Sequence, residues 1–281
     1  MRNAEVTGLT IYPVKSMKGI TLDQACLTPH GLEHDRRFMV VRADGRFVTQ
    51  RDLPRLALVN TALRAGDLVL SMSGAGLISI PADETGGERI DTRVWGDPCE
   101  TRDQGEEVSA WLGNALESNH TLRLVRMAPG FVRRQSQPGE LGENTHTFFA
   151  DAAPFLIASE SSLEALNQEL ASRTHSAVPM NRFRPNITVR GLEPFAEHKL
   201  AKLDSENYSL GLCHPCVRCV VTTIDQDTAS KDPGKQPFRT LQEINPAPGE
   251  KPAPAFGQNA ILLRGDQATI ATGDRLSANY S

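Results

Sequence analysis

The chain has 281 residues, a formal net charge of -4, 39% hydrophobic and 23% charged residues, the proportions of a globular protein with a sizeable core. Acids and bases are spread along its length without the basic surplus that neutralises phosphates, which argues against a general nucleic-acid role. No run approaches the ~18 apolar residues of a membrane-spanning helix, and residues 1–10 lack the basic and apolar regions of a signal peptide, so the expected location is cytoplasmic and off the membrane.

In chain order the pattern is mostly short strands punctuated by turn residues. Residues 6–12, 37–41 and 47–50 come first, the last two joined as a hairpin by Ala43-Asp44-Gly45. Residues 56–63, 68–72 and 77–80 follow, separated by Ala65-Gly66-Asp67 and Ser73-Gly74. Over residues 106–117 the rhythm changes: Val108, Trp111, Leu112 and Ala115 recur at helical spacing. After a fresh strand at 122–127, residues 161–170 repeat that spacing through Leu163, Leu166 and Leu170, and Ser161 with Glu164 fits a capping box. Strands resume at 186–189, 208–212, 219–224, 260–264 and 268–271. Residues 130–143 and 228–254, rich in Pro, Gly and charge, read as long loops. Short, regularly spaced strands with few helices predict an α+β, mostly β fold built on a barrel or sandwich. The restart at 122–127 divides the chain into residues 1–125 and 126–281.

The densest chemistry is Cys213-His214-Pro215-Cys216-Val217-Arg218-Cys219. Five cysteines, three of them within these seven residues, suit a reduced thiol cluster better than a disulfide framework. Without export, the N-x-S/T triplets at Asn186, Asn207 and Asn279 are chance matches. The C-x2-C-x2-C spacing resembles part of an iron–sulfur ligand run, but no cysteine follows Cys219. Three thiolates with His214 would make a zinc set, although His214 sits awkwardly between the first two. Three buried structural thiols is the remaining alternative. Arg218 beside Cys219 would favour the thiolate, a soft ligand for a thiophilic metal with an open position.

Several segments, in order, resemble the MOSC family of molybdenum-cofactor proteins. Thr10-Ile11-Tyr12-Pro13-Val14-Lys15-Ser16-Met17-Lys18-Gly19 is similar to the family's opening motif, and His30-Gly31-Leu32 with Asp35-Arg36-Arg37-Phe38 to its next block. Asp151-Ala152-Ala153-Pro154-Phe155-Leu156, Arg182-Phe183-Arg184-Pro185-Asn186-Ile187 and Cys216-Val217-Arg218-Cys219-Val220-Val221-Thr222-Thr223-Ile224-Asp225 continue it, and Phe256-Gly257-Gln258-Asn259 and Gly273-Asp274 close it. The resemblance is strongest to mitochondrial amidoxime-reducing components and bacterial N-hydroxylaminopurine reductases. It implies a MOSC β-barrel over residues 126–281, preceded by a β-rich MOSC amino-terminal domain over residues 1–125.

The resemblance also implies reduction of amidoximes, hydroxylamines and hydroxylaminopurines by a molybdenum–molybdopterin cofactor, with Cys219 as metal ligand. Lys15 and Ser16, which alone read as a strand-end lysine and a turn serine, become holders of the cofactor's anionic tail. Arg36 and Arg184 offer planar bidentate contacts, Asn186 a donor and an acceptor, and Asp151 an acceptor for the pterin amino group. Ala152, Ala153 and Val217 stand where relatives carry small polar residues, which removes side-chain contacts there. Asp225 and His214 are the candidate proton donors. With no cysteine after Cys219, a four-cysteine electron-transfer domain is not expected, and the electron donor is expected to be a separate flavin reductase, ferredoxin or cytochrome. A carrier or sulfur-transfer role for the bound cofactor is the alternative.

Overall fold

The computed structural model describes residues 2–81, 86–133, 141–142, 145–249 and 253–280. Its first half runs β1 (Arg2–Ile11), β2 (Ile20–Leu22), β3 (Gln24–Thr28), β4 (Gly31–Leu32), β5 (Phe38–Arg42), β6 (Asn60–Arg64), β7 (Asp67–Met72), β8 (Gly76–Pro81), β9 (Arg89–Val94), β10 (Asp97–Asp103), α1 (Glu106–Leu116) and β11 (Leu122–Met127). The second runs β12 (Phe155–Ser159), α2 (Glu160–Ser172), β13 (Ile187–Arg190), β14 (Leu200–Asp204), β15 (Ser209–Val217), α3 (Phe238–Ile244), β16 (Pro246–Ala247), β17 (Ala253–Arg264), β18 (Thr269–Ala271) and β19 (Arg275–Tyr280).

Seven strands close a barrel in the order β12, β13, β1, β19, β14, β15, β17, with β17 returning to β12. Only β12 and β13 run parallel within that ring, and α2 supplies the crossover that a parallel pair requires. Strand β1 lies between β13 and β19, so the barrel draws strands from both sides of residue 125. Leu9, Ile11, Ile157, Ile187, Leu203, Leu210 and Leu276 fill its interior. Each such side chain contributes roughly 1.5–3 kcal/mol through burial.

Of the remaining strands of the first half, β2 pairs with β1, β3 and β4 form a small sheet with β18, and the others form two further sheets, β5-β11-β10-β9 and the meander β6-β7-β8. In β7 burial alternates, with Leu68, Leu70 and Met72 inward, as expected for a strand with one face on a core. That face packs with Trp111, Leu112 and Ala115 of α1, the stripe predicted from helical spacing.

Four local expectations need correction. Residues 56–63 are not one strand: Pro54 opens a 3-10 turn, Pro54–Leu58, and only then does β6 begin. Residues 47–50 contribute a single bridge, Phe47 to Val41, rather than a hairpin strand. Helix α2 starts two residues earlier than the capping box required; Ser159 is its N-cap, and the Ser159 and Ser161 hydroxyls pair at 2.8 Å. Residues 228–254 are not a bare loop, since they hold α3, β16 and the start of β17. Residues 134–140, 143–144 and 250–252 of the two expected loops lie outside the described residues.

Candidate active site

The site begins where β1 runs out. Tyr12-Pro13 turns the chain, and the segment that follows docks beside residues 36–38: Lys15 N donates to Phe38 O at 2.8 Å, Phe38 N to Pro13 O at 3.0 Å and Arg36 N to Tyr12 O at 2.8 Å. Val14 and Met17 are fully buried anchors on either side of Lys15 and Ser16. Ser16 takes a left-handed backbone, φ 70°, and its carbonyl accepts from Gln50 Nε2 at 2.8 Å. Gly19 is obligatory for packing, because a Cβ there would come within 2.5 Å of Thr10 and 2.7 Å of Tyr12.

Lys15 points inward. Its Nζ donates to Phe149 O at 2.8 Å and to Asp151 Oδ1 at 2.6 Å. Burial pushes its ammonium below the usual lysine range, with the Asp151 carboxylate working the other way. Asp151 sits among packed neighbours yet leaves 67% of its side chain open. Burial acts to raise its carboxyl, but the Lys15 charge and hydrogen bonds from Lys15 and Trp95 Nε1, at 3.0 Å, prevail and hold it well below the usual range. Arg133 positions this segment. Its guanidinium pairs with Asp97 at 2.8 Å and donates to Phe148 O and Ala150 O at 3.0 and 2.6 Å.

Arg36 and Arg184 both lie over the Tyr12 ring, at 4.3 and 4.1 Å from its centroid. Arg36 meets Asp35 at 2.6 Å, and Asp35 is buried and also accepts from Tyr12 N at 2.8 Å. Arg36 donates in addition to Arg184 O at 3.2 Å. Arg184 itself has a left-handed backbone, φ 55°, and its half-buried guanidinium makes no hydrogen bond among the described residues. Burial lowers its pKa to about 10, so it stays charged at neutral pH. Asn186 is buried with its amide engaged, accepting from Leu156 N and donating to Thr10 O, both at 3.2 Å, and reaching Asp35 as well. It fastens β1, β12 and β13 behind Arg184.

Cys219 does not start a strand. It caps the 3-10 turn Val220–Thr223, and its carbonyl accepts from Thr222 N and Oγ1 at 3.2 and 3.0 Å. The β-branched run 220–223 favours extension, but the threonine hydroxyls bond the carbonyls three residues back and stabilise the turn. The Cys219 thiol is exposed and makes no hydrogen bond among the described residues. Arg218 is not its partner: Nη1 lies 2.8 Å from the sulfur of Cys216, and Nη2 donates to Phe183 O at 2.9 Å. Asp225 is committed too, accepting from Arg182 at 2.9 Å and from Asp227 N, Thr228 N and Thr228 Oγ1 at 2.9–3.0 Å. Although burial acts to raise it, these donors keep its carboxyl below the usual range, which unsuits it as a proton donor. His214 is half-buried, with Nδ1 3.2 Å from Pro215 O and 3.3 Å from Asn259 Nδ2.

Contacts between neighbours draw these pieces together. Arg182 donates to Thr222 O at 3.2 Å and Arg218 to Phe183 O, which ties the Cys219 turn to the segment carrying Arg184. Gln50 and Gln226 exchange hydrogen bonds at 3.0 Å in both directions, which ties it to Ser16. Lys15, Asp151, Arg36 and Arg184 thus line one cationic basin, while Asn186 lies behind it and Cys219 on the turn beside it. A cavity of about 420 Å³ opens against Tyr12, Lys18, Arg184, Gln226 and Asp227. Gln50, Arg133, Arg182 and Gln226 were missed from sequence, because their roles rest on partners 34 to 176 residues away.

A closed seven-stranded barrel thus carries an exposed thiol on a turn tied to the segment of Arg184. Residues 3–119 match the MOSC N-terminal beta barrel domain and residues 131–277 the MOSC domain, and the chain belongs to the MOSC family. It is 34% identical to mitochondrial amidoxime reducing component 2 of Bos taurus over 264 residues, covering 90% of this chain and 77% of that protein. Identity to mitochondrial amidoxime-reducing component 1 of Homo sapiens is also 34%, over 281 residues, 96% of this chain and 81% of that protein. Molybdenum cofactor sulfurase of Danio rerio is 33% identical over 258 residues, 85% of this chain but 30% of the longer protein. Among the described residues no helix is long and apolar enough to cross a membrane.

Proposed function

We propose that this chain is a molybdenum-cofactor-dependent reductase of N-hydroxylated compounds, acting on amidoximes, hydroxylamines or hydroxylaminopurines with electrons from a separate flavin reductase, ferredoxin or cytochrome. The observation that carries the reading is the exposed, unengaged thiol of Cys219 on a turn that Arg182 and Arg218 tie to the segment carrying Arg184, whose guanidinium makes no hydrogen bond among the described residues. The names of its relatives, amidoxime-reducing components, agree with it.

The residues fit such a cofactor. Among the described residues no group of three His, Cys, Asp or Glu side chains could hold a metal, and a pterin dithiolene brings most of its metal's ligands itself. Cys219 would be its single protein ligand. Arg184 and the Lys15–Ser16 turn would hold the anionic tail, with Arg36 adding charge from behind Tyr12. Asp151, kept ionised by Lys15, would accept from the pterin's amino group. Asn186 has no free hydrogen-bonding edge and would act by holding the Arg184 turn. When bound, the cofactor supplies the two-electron chemistry by which an N–OH oxygen leaves as water, with two protons.

Molybdenum analysis combined with benzamidoxime and hydroxylaminopurine assays, using reduced viologen as donor, tests the reading. About one molybdenum per chain and turnover are expected, with both lost in Cys219→Ala and both kept in Cys216→Ala. Protein from a cofactor-competent host that holds no molybdenum would overturn it. The similarity to molybdenum cofactor sulfurase favours a second reading, a carrier or sulfur-transfer protein. That protein would hold molybdenum, deliver it to an acceptor enzyme and reduce nothing with viologen.

A further inference from the structure

Two valines flank the exposed cysteine. Val217 is 56% and Val220 45% exposed. With neighbouring Cα atoms ~3.8 Å apart, both lie within about 8 Å of the Cys219 Cα. Strand β15 ends at Val217, and Cys219 keeps extended backbone angles, φ −107° and ψ 177°. Alternate side chains of an extended chain share a face. The contact of Arg218 with Cys216 puts residues 216 and 218 on one face, which leaves Val217 and Cys219 together on the other. Arg218, the charge between the valines, is folded back onto Cys216 and Phe183 O rather than out over the thiol. The contacts of Lys15, Arg36 and Arg184 run to Phe149 and Asp151, to Asp35 and to Tyr12, and none of them reaches Val217 or Val220. The exposed side chains next to Cys219 in the chain are therefore the two valines, with Arg218 turned away.

We propose that Val217 and Val220 form an apolar collar that selects N-hydroxylated compounds carrying an aromatic or branched alkyl body next to the N–OH group, over small polar ones. This rests on the reductase reading. A ring or alkyl group seated against the valines removes apolar surface from water, and pocket contacts of that size discriminate by about three- to tenfold each.

Val217→Thr, Val220→Thr and the double variant keep side-chain shape and β-branching while adding a hydroxyl. They are compared with wild type, all molybdenum-loaded, on benzamidoxime and on hydroxylamine with reduced viologen. Calorimetric titration with benzamidine and with acetamidine reads binding without turnover. The double variant should lose about tenfold or more in kcat/KM for benzamidoxime and a similar factor in benzamidine affinity, with hydroxylamine and acetamidine changing less than about twofold. Equal losses on both substrates, or no loss on benzamidoxime, would overturn the collar and leave the reductase reading standing. Valine-dependent benzamidine binding in a protein that reduces neither substrate would uphold the collar and overturn the reductase reading.

Discussion

Lys15→Met separates folding from cofactor holding. The Lys15 side chain is 7% exposed and donates to Phe149 O at 2.8 Å and Asp151 at 2.6 Å. Removing those hydrogen bonds forfeits about 1.5–3 kcal/mol each, as bonds from a charged donor. Against this, the desolvation of a buried ammonium, a cost of several kcal/mol, disappears, and an unbranched methionine fills the same channel. Asp151 is not left buried and unpaired: it is largely open to water and keeps its hydrogen bond from Trp95. The opposing terms should cancel to within about 1.5 kcal/mol in urea unfolding of cofactor-free protein. Molybdenum retained after expression should fall at least about tenfold, the equivalent of one 1.4 kcal/mol contact. The pH dependence gives a second check. Folded Lys15 binds its proton less tightly than unfolded Lys15, so wild type gains stability relative to Lys15→Met as pH rises through the range just below 10.5. Destabilisation above about 3 kcal/mol with molybdenum fully retained would refute the argument, because Lys15 would then be a structural cation.

Arg133→Met breaks a pair with Asp97 whose side chains are 1% and 7% exposed, and urea unfolding should register a loss of about 3–5 kcal/mol. Glu197 is fully buried, accepts from Ser162 Oγ at 2.8 Å and has a second oxygen without a hydrogen bond among the described residues. Burial raises its pKa, so folded Glu197 binds its proton more tightly than unfolded, and stability falls as pH rises from about 4.5 through the folded value. Glu197→Gln should therefore gain about 1 kcal/mol on wild type at pH 8, by thermal or urea unfolding, and the gain should vanish near pH 4.5. Gln226→Leu strands the buried Gln50 amide and should cost about 1–3 kcal/mol by the same assay.

What the sequence disclosed depended on whether burial was written in apolar residues. Strand β7 and helix α1 were legible because leucines and a tryptophan mark their inner faces. Strands β9 and β10 were not, since Thr92, Asp97, Thr101 and Asp103 occupy buried positions that sequence patterning reads as polar surface. The Cys219 turn was hidden by its β-branched residues, whose extended preference yields to local hydroxyl bonds. Lys15, Arg36, Asp151, Arg184 and Cys219 stand out in sequence only as parts of ordered motifs, and as site residues they remain the proposal; hydrogen bonds and ring contacts join their segments in the fold. The partners that hold them, Arg133 above all, carry no local signal.

The reciprocal pair of Gln50 and Gln226 fastens the Ser16 bend to the segment behind Cys219 without a formal charge. The neighbouring Lys18–Asp227 pair, at 3.1 Å and mostly exposed, is screened by salt within about one Debye length of 8–10 Å. A neutral amide couple has no such dependence, nor does it titrate. This one link between the Ser16 bend and the thiol segment therefore depends on neither ionic strength nor pH, unlike the guanidinium contacts of Arg182 and Arg218. A neutral clasp is thus set among charged ones.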